Sequence, residues 1–243
     1  MGYKKFNKYI GEKYWVDYFN KSIDFYNTIR KHIQESIPKE DTVGLDIGSG
    51  PGVGAKLIAD LKFETKLTGF EPSQTSLEGI KLSDYFASEK IPVVYIARRG
   101  GILDIETPKP NSYDYILILR AVHEIADSLG GYKKLFNELH RITKGLKKGG
   151  VFIVAEPQYS KDNTSELIIK KVQEYQKDNI GHCHVPSDYI NTFEMKKQAN
   201  SLGLKLVKET IVPNNRLLNE LNKKGLTISE SPCSFYVQTY KLL

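Results

Sequence analysis

The sequence predicts an α/β protein built on a doubly wound, mostly parallel sheet. Short apolar runs alternate with amphipathic helical patterns from Val43 to Glu156, and this alternation is typical of parallel strands joined by helical crossovers. The first apolar run contains Leu45 and leads directly into a cluster of glycines, after which a helical pattern begins. A strand, a glycine turn and a helix in this order are typical of nucleotide-binding sites, so we expect the chain to be arranged around this unit.

Composition fits one globular domain and excludes several classes of protein. The 243 residues are 40% hydrophobic and 26% charged, without low-complexity segments, linkers or internal repeats. The net charge of +6 is spread over short basic pairs, so a nucleic-acid partner is not expected. No apolar run reaches membrane-spanning length, the first residues lack a signal-peptide core, and the two cysteines, Cys183 and Cys233, fit a reducing compartment. These features predict a cytoplasmic protein without a membrane partner.

Patterns outside the central region predict a helix before it and a mixed segment after it. Apolar residues recur every three or four positions from Trp15 to Ile37, and Pro38 ends this pattern. After the central region, two helical patterns precede strands at Leu204–Val212 and Phe235–Leu242. A short helix is expected between these two strands.

The glycine cluster directly follows the first strand. Glycine lets the backbone turn tightly and approach a ligand closely, and the N-terminus of the next helix offers unpaired N–H groups. Gly50, Gly52 and Ala55 fit the dinucleotide pattern only if that pattern starts late after the strand. In the more natural register, Asp46 ends the strand and Gly48 begins a series of glycines at alternate positions.

A second acidic residue completes the signal for a cofactor. The apolar strand Leu67–Phe70 runs into Glu71, which lies about 20 residues past the glycines, the separation at which an acid meets ribose hydroxyls. Together with the glycine series, this acid predicts a nucleoside-type cofactor.

Four motifs resemble those of class I S-adenosylmethionine-dependent methyltransferases. They are the glycine series that begins at Asp46, the strand that ends in Glu71, the Tyr113–Asp114 pair before an aliphatic run, and the turn Leu146–Gly150. In the last motif Lys148 stands where the family usually has proline. The resemblance implies a Rossmann-like, seven-stranded sheet with an antiparallel last strand. It also implies methyltransferase activity with S-adenosylmethionine as the cofactor.

The resemblance further implies a single domain with three parts. Residues 1–40 would form an N-terminal helical cap and residues 41–157 the cofactor-binding core. Residues 158–243 would supply helices on the substrate side and the closing strands.

By this resemblance the cofactor lies at the carboxyl edge of the sheet. The Asp46 carboxylate suits a ligand that carries an ammonium group, and Glu71 would accept hydrogen bonds from the ribose. The family usually has an acid where this chain has Ile102, so either Ile102 and Leu103 sandwich the adenine or Asp104 accepts a hydrogen bond from it. The predicted cofactor-binding residues are Asp46, Gly48, Ser49, Gly50, Gly52, Glu71, Pro72, Gly101, Ile102, Leu103, Arg120 and Ala121.

His123, just beyond the fourth strand, is the candidate catalytic residue. A histidine titrates near neutral pH and can serve as a general base. The family often carries a histidine at this strand end, and there it can also bridge a helix and a loop. Glu156 ends the fifth strand at the same edge, where it would either bind a cationic substrate or form a buried hydrogen bond.

The acceptor is expected to meet side chains from both ends of the chain. Aromatic side chains near the N-terminus would cover a small-molecule pocket or simply pack in the core. His184 precedes a predicted helix and would line the same pocket. The predicted substrate-binding residues are Tyr14, Trp15, Tyr18, Glu156, Tyr159 and His184.

The run His182–His184 is the only local pattern that suggests a metal. Alternate residues of an extended segment would project both histidines to one face, but two ligands do not complete a zinc site. We therefore expect no bound metal.

The predicted function is transfer of a methyl group from S-adenosylmethionine to an O or N atom of a small molecule. Two alternatives stay open: a methyltransferase that acts on RNA or protein, and a non-catalytic cofactor-binding subunit that activates a partner. An NAD-dependent oxidoreductase is disfavoured, because the Asp46 carboxylate would repel a pyrophosphate. The acceptor and the oligomeric state are not predicted.

Overall fold

A computed structural model of the protein describes residues 23–78, 93–160, 165–180 and 184–243. Its strands are β1 (Thr42–Ile47), β2 (Thr65–Glu71), β3 (Val93–Arg99), β4 (Tyr113–Leu119), β5 (Leu146–Tyr159), β6 (Leu204–Pro213) and β7 (Cys233–Leu242). Its α-helices are α1 (Ile23–Ser36), α2 (Val53–Asp60), α3 (Gln74–Glu78), α4 (Val122–Leu129), α5 (Tyr132–Thr143), α6 (Glu166–Ile180), α7 (Thr192–Ser201) and α8 (Asn215–Lys223). Short 3₁₀ helices occur at Ile102–Asp104 and Pro186–Asp188.

The seven strands form one sheet in the order β3-β2-β1-β4-β5-β7-β6. All neighbours from β3 to β5 pair in parallel, whereas β7 runs antiparallel to both β5 and β6. The chain crosses over after β3 to place β4 beside β1, and ligands in such sheets bind at the carboxyl ends of the strands near this crossover. The predicted α/β fold, with its antiparallel last strand, is confirmed.

Helices cover both faces of the sheet. On one face, buried residues of α4, α5 and α7 join the sheet in a single apolar cluster that includes Val122, Leu139 and Met195. On the opposite face, α1 and α2 form a second cluster that includes Ile29 and Leu57. Burial on both faces explains why the central strands are almost continuously apolar in sequence.

Strand β1 shows how the alternation of side chains places the first acid. Leu45 and Ile47 belong to the cluster under α4 and α5, so Gly44 and Asp46 face the side covered by α1 and α2. A Cβ on Gly44 would lie 2.1 Å from the ring of Tyr115, which passes over it. Gly44 is therefore required by packing, while Asp46 is carried into the interior at the end of the strand.

Asp114 ties together the amino ends of three strands. Its carboxylate accepts a hydrogen bond from Val43 N at 2.8 Å and pairs with Lys147 Nζ at 2.8 Å. The acid of the predicted Tyr113–Asp114 pair thus lies at the edge opposite the glycine series. The sequence predicts a turn at Leu146–Gly150, but strand β5 already begins at Leu146. Its register with β4 shifts between Tyr113 and Tyr115, and this irregularity accommodates Gly149 at φ +75°.

The flanking elements follow the predicted pattern. Helix α1 ends two residues before Pro38, and its buried His32 reaches the hydroxyls of Thr239 on β7 and Thr210 on β6. Helices α6 and α8 pack on each other through Val172 and Leu221 in a small third cluster. Within the described residues, no helix is long and apolar enough to span a membrane.

Candidate active site

The glycine series forms a tight loop between β1 and α2. Gly48, Gly50 and Gly52 have φ angles of +68°, +53° and +90°, which residues with side chains rarely adopt. The N–H groups of Gly48 and Ser49 both donate to the carbonyl of Phe70 on β2, so the loop is held across the carboxyl ends of two strands. The alternation of glycines thus reflects alternating positive φ angles in the loop.

The loop also packs directly against the end of β4. A Cβ on Gly48 would lie 2.5 Å from the Cβ of Ala121. This contact brings two predicted cofactor-binding residues together, and it places the segment after β4, including His123, beside the glycine loop.

Glu71 connects the loop to the next turn. Its side chain is buried, and its two oxygens accept hydrogen bonds from Gly50 N at 2.9 Å and Ser73 N at 2.8 Å. Burial raises the pKa of Glu71, although both hydrogen bonds oppose this change. An ionised carboxylate has about four acceptor positions, so capacity for ligand hydroxyls is left. Pro72 lies between these two contacts and is half-buried.

Asp46 is buried without a protein partner. Its side chain is 1% exposed, and neither oxygen forms a hydrogen bond within the described residues. Burial, reinforced by the negative charge of Glu71, raises the pKa of Asp46 from 3.8 to about 7. A buried polar group normally has a partner, so this carboxylate fits a site whose partner is supplied by a ligand.

The loop after β3 separates the two side chains predicted to sandwich adenine. Ile102 is buried in the apolar cluster, whereas Leu103 is 64% exposed. Asp104 accepts a hydrogen bond from Gly101 N at 2.7 Å, so its carboxylate already shapes the loop. Of the two alternatives, a sandwich by both side chains disagrees with this geometry, and how adenine is recognised stays a prediction.

Arg120 has a strained backbone at the end of β4. Its φ is +61°, which is rare for a residue with a side chain, and its N–H donates to the carbonyl of Ala155 at 2.7 Å. The guanidinium lies 5.3 Å from the ring centre of Phe235. Such strain persists only where the surroundings enforce it and often marks a functional site.

His123 is held by a buried carboxylate. Its Nδ1 lies 2.6 Å from Glu156 Oε2, and the side chains are 8% and 1% exposed. Burial alone lowers the pKa of His123, but the carboxylates of Glu156 and Glu124 outweigh it and raise this pKa to about 9. A protonated imidazole cannot accept a proton, which argues against the predicted role as a general base at neutral pH.

Glu156 contacts His123 from the interior and is itself only 1% exposed. Its second oxygen accepts a hydrogen bond from Val122 N at 2.7 Å, at the first residue of α4. Both oxygens therefore serve the protein, in agreement with the buried hydrogen bond that the sequence allowed and not with contact to a cationic substrate. The predicted substrate-binding role of Glu156 is corrected on this ground: it orients His123.

Aromatic and imidazole rings form a wall over the end of β4. The rings of His123 and His184 meet edge to face at 4.9 Å, and Tyr189 packs against them at 4.9 Å and 5.2 Å respectively. Tyr159 contacts Tyr189 and donates a hydrogen bond to the carbonyl of His184 at 3.0 Å. We call His123, Tyr159, His184 and Tyr189 the acceptor wall.

Two residues of this region were missed from the sequence. No sequence pattern distinguishes Tyr189 as a site residue. Glu124 lies in the first turn of α4, and its Oε1 lies 3.4 Å from His123 Nε2 and 3.7 Å from His184 Nε2. Its position beside His123 in the chain was the one available signal.

Tyr14, Trp15 and Tyr18, expected to cover the pocket, lie outside the described residues, and so do His182 and Cys183. Their roles stay predictions.

The parallel sheet, the glycine loop and the acidic end of β2 define an enzyme that uses a nucleoside cofactor. The family model described as "Methyltransferase domain" matches residues 18–209, so the chain belongs to this methyltransferase family. The class inferred from the sequence, a class I S-adenosylmethionine-dependent methyltransferase, is confirmed.

Solved structures share this fold at low sequence identity. A Galdieria sulphuraria protein described as a candidate sarcosine dimethylglycine methyltransferase has a TM-score of 0.61 at 17% identity, over 90% of this chain and 86% of its own. Phosphoethanolamine N-methyltransferase 2 of Haemonchus contortus, with S-adenosyl-L-methionine, gives 0.58 at 17% identity, over 88% of this chain and 52% of its own. The geranyl diphosphate C-methyltransferase of Streptomyces coelicolor A3(2), with Mg²⁺, geranyl diphosphate and S-adenosyl-L-homocysteine, gives 0.57 at 14% identity, over 89% and 79%. No curated protein sequence matches the chain significantly.

Proposed function

We propose that this enzyme transfers the methyl group of S-adenosylmethionine to an O or N atom of a small molecule. The observation that carries the proposal is the acceptor wall, which lies directly beside the glycine loop. Its rings pack on one another, with His123 buried and the other three half-buried. Such a surface suits a compact, partly apolar acceptor better than a long polyanion.

The cofactor is proposed to lie across the glycine loop. The loop lies across the carboxyl ends of β1 and β2 next to the N-terminus of α2, and Glu71 keeps acceptor capacity for the ribose hydroxyls. The carboxylate of Asp46, which has no partner among the described residues, favours a cationic ligand nearby. S-adenosylmethionine carries both an ammonium and a sulfonium group, whereas the pyrophosphate of NAD would add negative charge.

Alignment is the main task that methyl transfer asks of the protein. The sulfonium is already an activated leaving group, so a barrier reduction from positioning and exclusion of water suffices for many acceptors. His123, which is held by Glu156, is proposed to position the acceptor and not to remove its proton.

The structural neighbours support a small acceptor but differ in the acceptor atom. One is a phosphoethanolamine N-methyltransferase and another a geranyl diphosphate C-methyltransferase. At 17% identity or less, these neighbours share only the fold with this chain, so the choice of O or N rests on the polar side chains of the acceptor wall.

Calorimetry followed by a transfer assay tests the proposal. We expect micromolar binding of S-adenosylmethionine and of S-adenosylhomocysteine, and much weaker binding of NAD. The enzyme is then incubated with isotopically labelled S-adenosylmethionine and separate pools of small amines, phenols and alcohols, total RNA, or protein. Label in a small-molecule pool is the expected result. Label only in RNA, with binding that falls steeply as salt is added, would replace the small-molecule acceptor by a nucleic acid.

A further inference from the structure

The acceptor wall contains a cluster of metal-binding atoms that the sequence does not bring together. One donor atom each from His123, Glu124 and His184 lies within 4.8 Å of the other two. The two imidazole Nε2 atoms approach the same oxygen, Glu124 Oε1, at 3.4 Å and 3.7 Å. Donor atoms around a tetrahedral zinc ion with bonds of about 2.0–2.2 Å lie roughly 3.3–3.6 Å apart. Two of the three donor separations are thus close to the spacing that one ion requires, and the third is within 4.8 Å.

The outer nitrogen of His123 is held by a hydrogen bond, as is usual for metal ligands, whereas that of His184 faces a carboxylate beyond hydrogen-bond distance. His123 Nδ1 contacts the buried carboxylate of Glu156 at 2.6 Å, and His184 Nδ1 lies 3.6 Å from Asp188 Oδ2. A carboxylate on the far nitrogen fixes the orientation of the ring and leaves the near nitrogen as the donor. The backbone of His184 is fixed as well, since its N–H donates to Gln176 and its carbonyl accepts from Tyr159.

We propose that His123, Glu124 and His184 bind one divalent transition-metal ion at the acceptor side of the active site. Two imidazoles and one carboxylate suit Zn²⁺ and its neighbours in the first transition series better than Mg²⁺ or Ca²⁺, which prefer oxygen ligands. Three protein ligands leave at least one coordination position open, as in catalytic metal sites. Glu156 is the positioning residue of this site, because it acts through His123.

The open position implies an oxygen acceptor, a step that rests on the proposed methyl transfer. A coordinated hydroxyl loses its proton to water more readily than a free one. Its oxygen then forms the new O–CH₃ bond while the S–CH₃ bond breaks and leaves its electron pair on sulfur. The products are a methyl ether, neutral S-adenosylhomocysteine and one proton. The contact between Gly48 and Ala121 places the glycine loop beside this site.

Metal binding is tested directly on the full chain, without reference to activity. The protein is stripped with a chelator and titrated with Co²⁺, whose visible spectrum reports its ligands, and with Zn²⁺ in equilibrium dialysis with elemental analysis. We expect one equivalent of metal per chain with micromolar or tighter affinity. His184→Ala and Glu124→Gln are each expected to weaken binding by at least about 100-fold, and Glu156→Gln by about 10- to 100-fold.

Two kinds of control identify the ligands. His140 is exposed on α5, away from the site, so His140→Ala is expected to bind metal like the wild type. His182→Ala and Cys183→Ser test the neighbouring residues that could bind metal instead, and they are expected to retain it. Circular dichroism establishes that each variant is folded, and if His123→Ala unfolds, His184→Ala and Glu124→Gln decide the result.

Two outcomes would overturn the metal site. One is the absence of stoichiometric Zn²⁺ and Co²⁺ binding to wild-type protein that binds S-adenosylmethionine normally, which would leave a hydrogen-bond network only. The other is full affinity in the His184→Ala and Glu124→Gln variants. Both outcomes leave the proposed methyl transfer intact, whereas failure to bind S-adenosylmethionine removes the methyl transfer and leaves the metal measurement valid.

Discussion

The two sides of the candidate site bury carboxylates in opposite ways. On the glycine-loop side, Asp46 and Glu71 are buried without a cationic side chain beside them in the described part of the chain. On the acceptor side, Glu156 is equally buried but contacts the imidazole of His123 at 2.6 Å. The pKa of Asp46 accordingly rises to about 7, while the pKa of His123 rises to about 9.

This difference indicates that the glycine-loop side needs a ligand to pair its carboxylates, whereas the acceptor side pairs its carboxylate within the protein. A buried charge without a partner is costly, and it is retained where something else supplies the partner. A buried pair instead holds its members in one geometry. The glycine-loop side is therefore expected to change its energetics when the cofactor binds, and the acceptor side to be rigid beforehand.

The largest expected effect is a loss of cofactor binding when the glycine loop is altered. Gly50→Val places a β-branched residue at φ +53°, a conformation that such residues rarely adopt. It also adds a side chain where the backbone should approach the cofactor. We expect binding of S-adenosylhomocysteine to fall by more than about 100-fold in calorimetry.

Gly149→Val is the matched control for that variant. Gly149 also has a positive φ, +75°, but an added Cβ there meets nothing within 4 Å. It is expected to lower stability by a similar amount and leave cofactor binding unchanged. Equal loss of binding in both variants would mean that general destabilisation, and not the loop, controls the affinity.

The next prediction concerns the pH dependence of stability that the unpaired carboxylate of Asp46 causes. The pKa of Asp46 is about 7 in the folded state, against 3.8 as its ordinary value. The folded protein therefore binds more protons between these values, and its stability falls as pH rises from about 4 to about 7. Asp46→Asn removes this dependence, so we expect the variant to gain on the order of 4 kcal/mol over the wild type above pH 7 and nothing below pH 4.

Denaturant unfolding of both proteins at several pH values, without cofactor, gives this difference. Asp114→Asn is the contrasting variant, because the Asp114 carboxylate pairs with Lys147 and accepts from Val43 N. It is expected to lose stability at pH 8, opposite in sign to Asp46→Asn. A stability difference for Asp46→Asn that does not change with pH would refute the raised pKa.

A smaller effect is expected on the acceptor side, where the buried pair of His123 and Glu156 contributes to stability. His123→Ala leaves Glu156 buried without its cationic partner, and breaking a buried pair in this way costs on the order of 3 kcal/mol. We expect this loss in the unfolding free energy of metal-free protein. His184→Ala, which leaves the Glu156 hydrogen bond to Val122 N intact, should cost at most about 1 kcal/mol.

Stability and turnover of variants at His123 together distinguish a positioning role from a role as general base. If His123 only positions groups, a neutral donor such as that of His123→Gln should restore part of the stability. Unchanged stability in His123→Ala, with turnover lower by on the order of 10²–10⁴, would instead identify a general base.

The smallest expected effect concerns Glu71. Glu71→Ala removes the acceptor for Gly50 N, which is also the proposed acceptor for the ribose hydroxyls. Hydrogen bonds to a charged group contribute about 1.5–3 kcal/mol, so affinity for S-adenosylhomocysteine should fall about ten- to a hundredfold in calorimetry. Glu64→Ala, an exposed acid before the same strand, is the control. Unchanged affinity in Glu71→Ala would place the ribose elsewhere.

The geometry of the glycine loop was predictable because its signals are local. The strand, the alternate glycines and the acid at the end of the next strand lie within one βαβ unit, where backbone geometry relates them. The positive φ angles of Gly48, Gly50 and Gly52 account for the spacing that was visible in the sequence. The exception is the loop at Ile102, where burial is decided by contacts with α5 that no local pattern announces.

By itself, the sequence determined the fold class, the methyltransferase family and the position of the glycine loop, because periodicity and turn chemistry act over short stretches of chain. Only the tertiary structure decided that Glu156 supports His123 and that His184, 61 residues away in the chain, meets both His123 and Glu124. It also decided that Asp46 is buried without a partner. These contacts depend on which loops meet above the ends of β4 and β5. Loop closure brings together residues that are far apart in the sequence, and no local sequence pattern predicts such contacts.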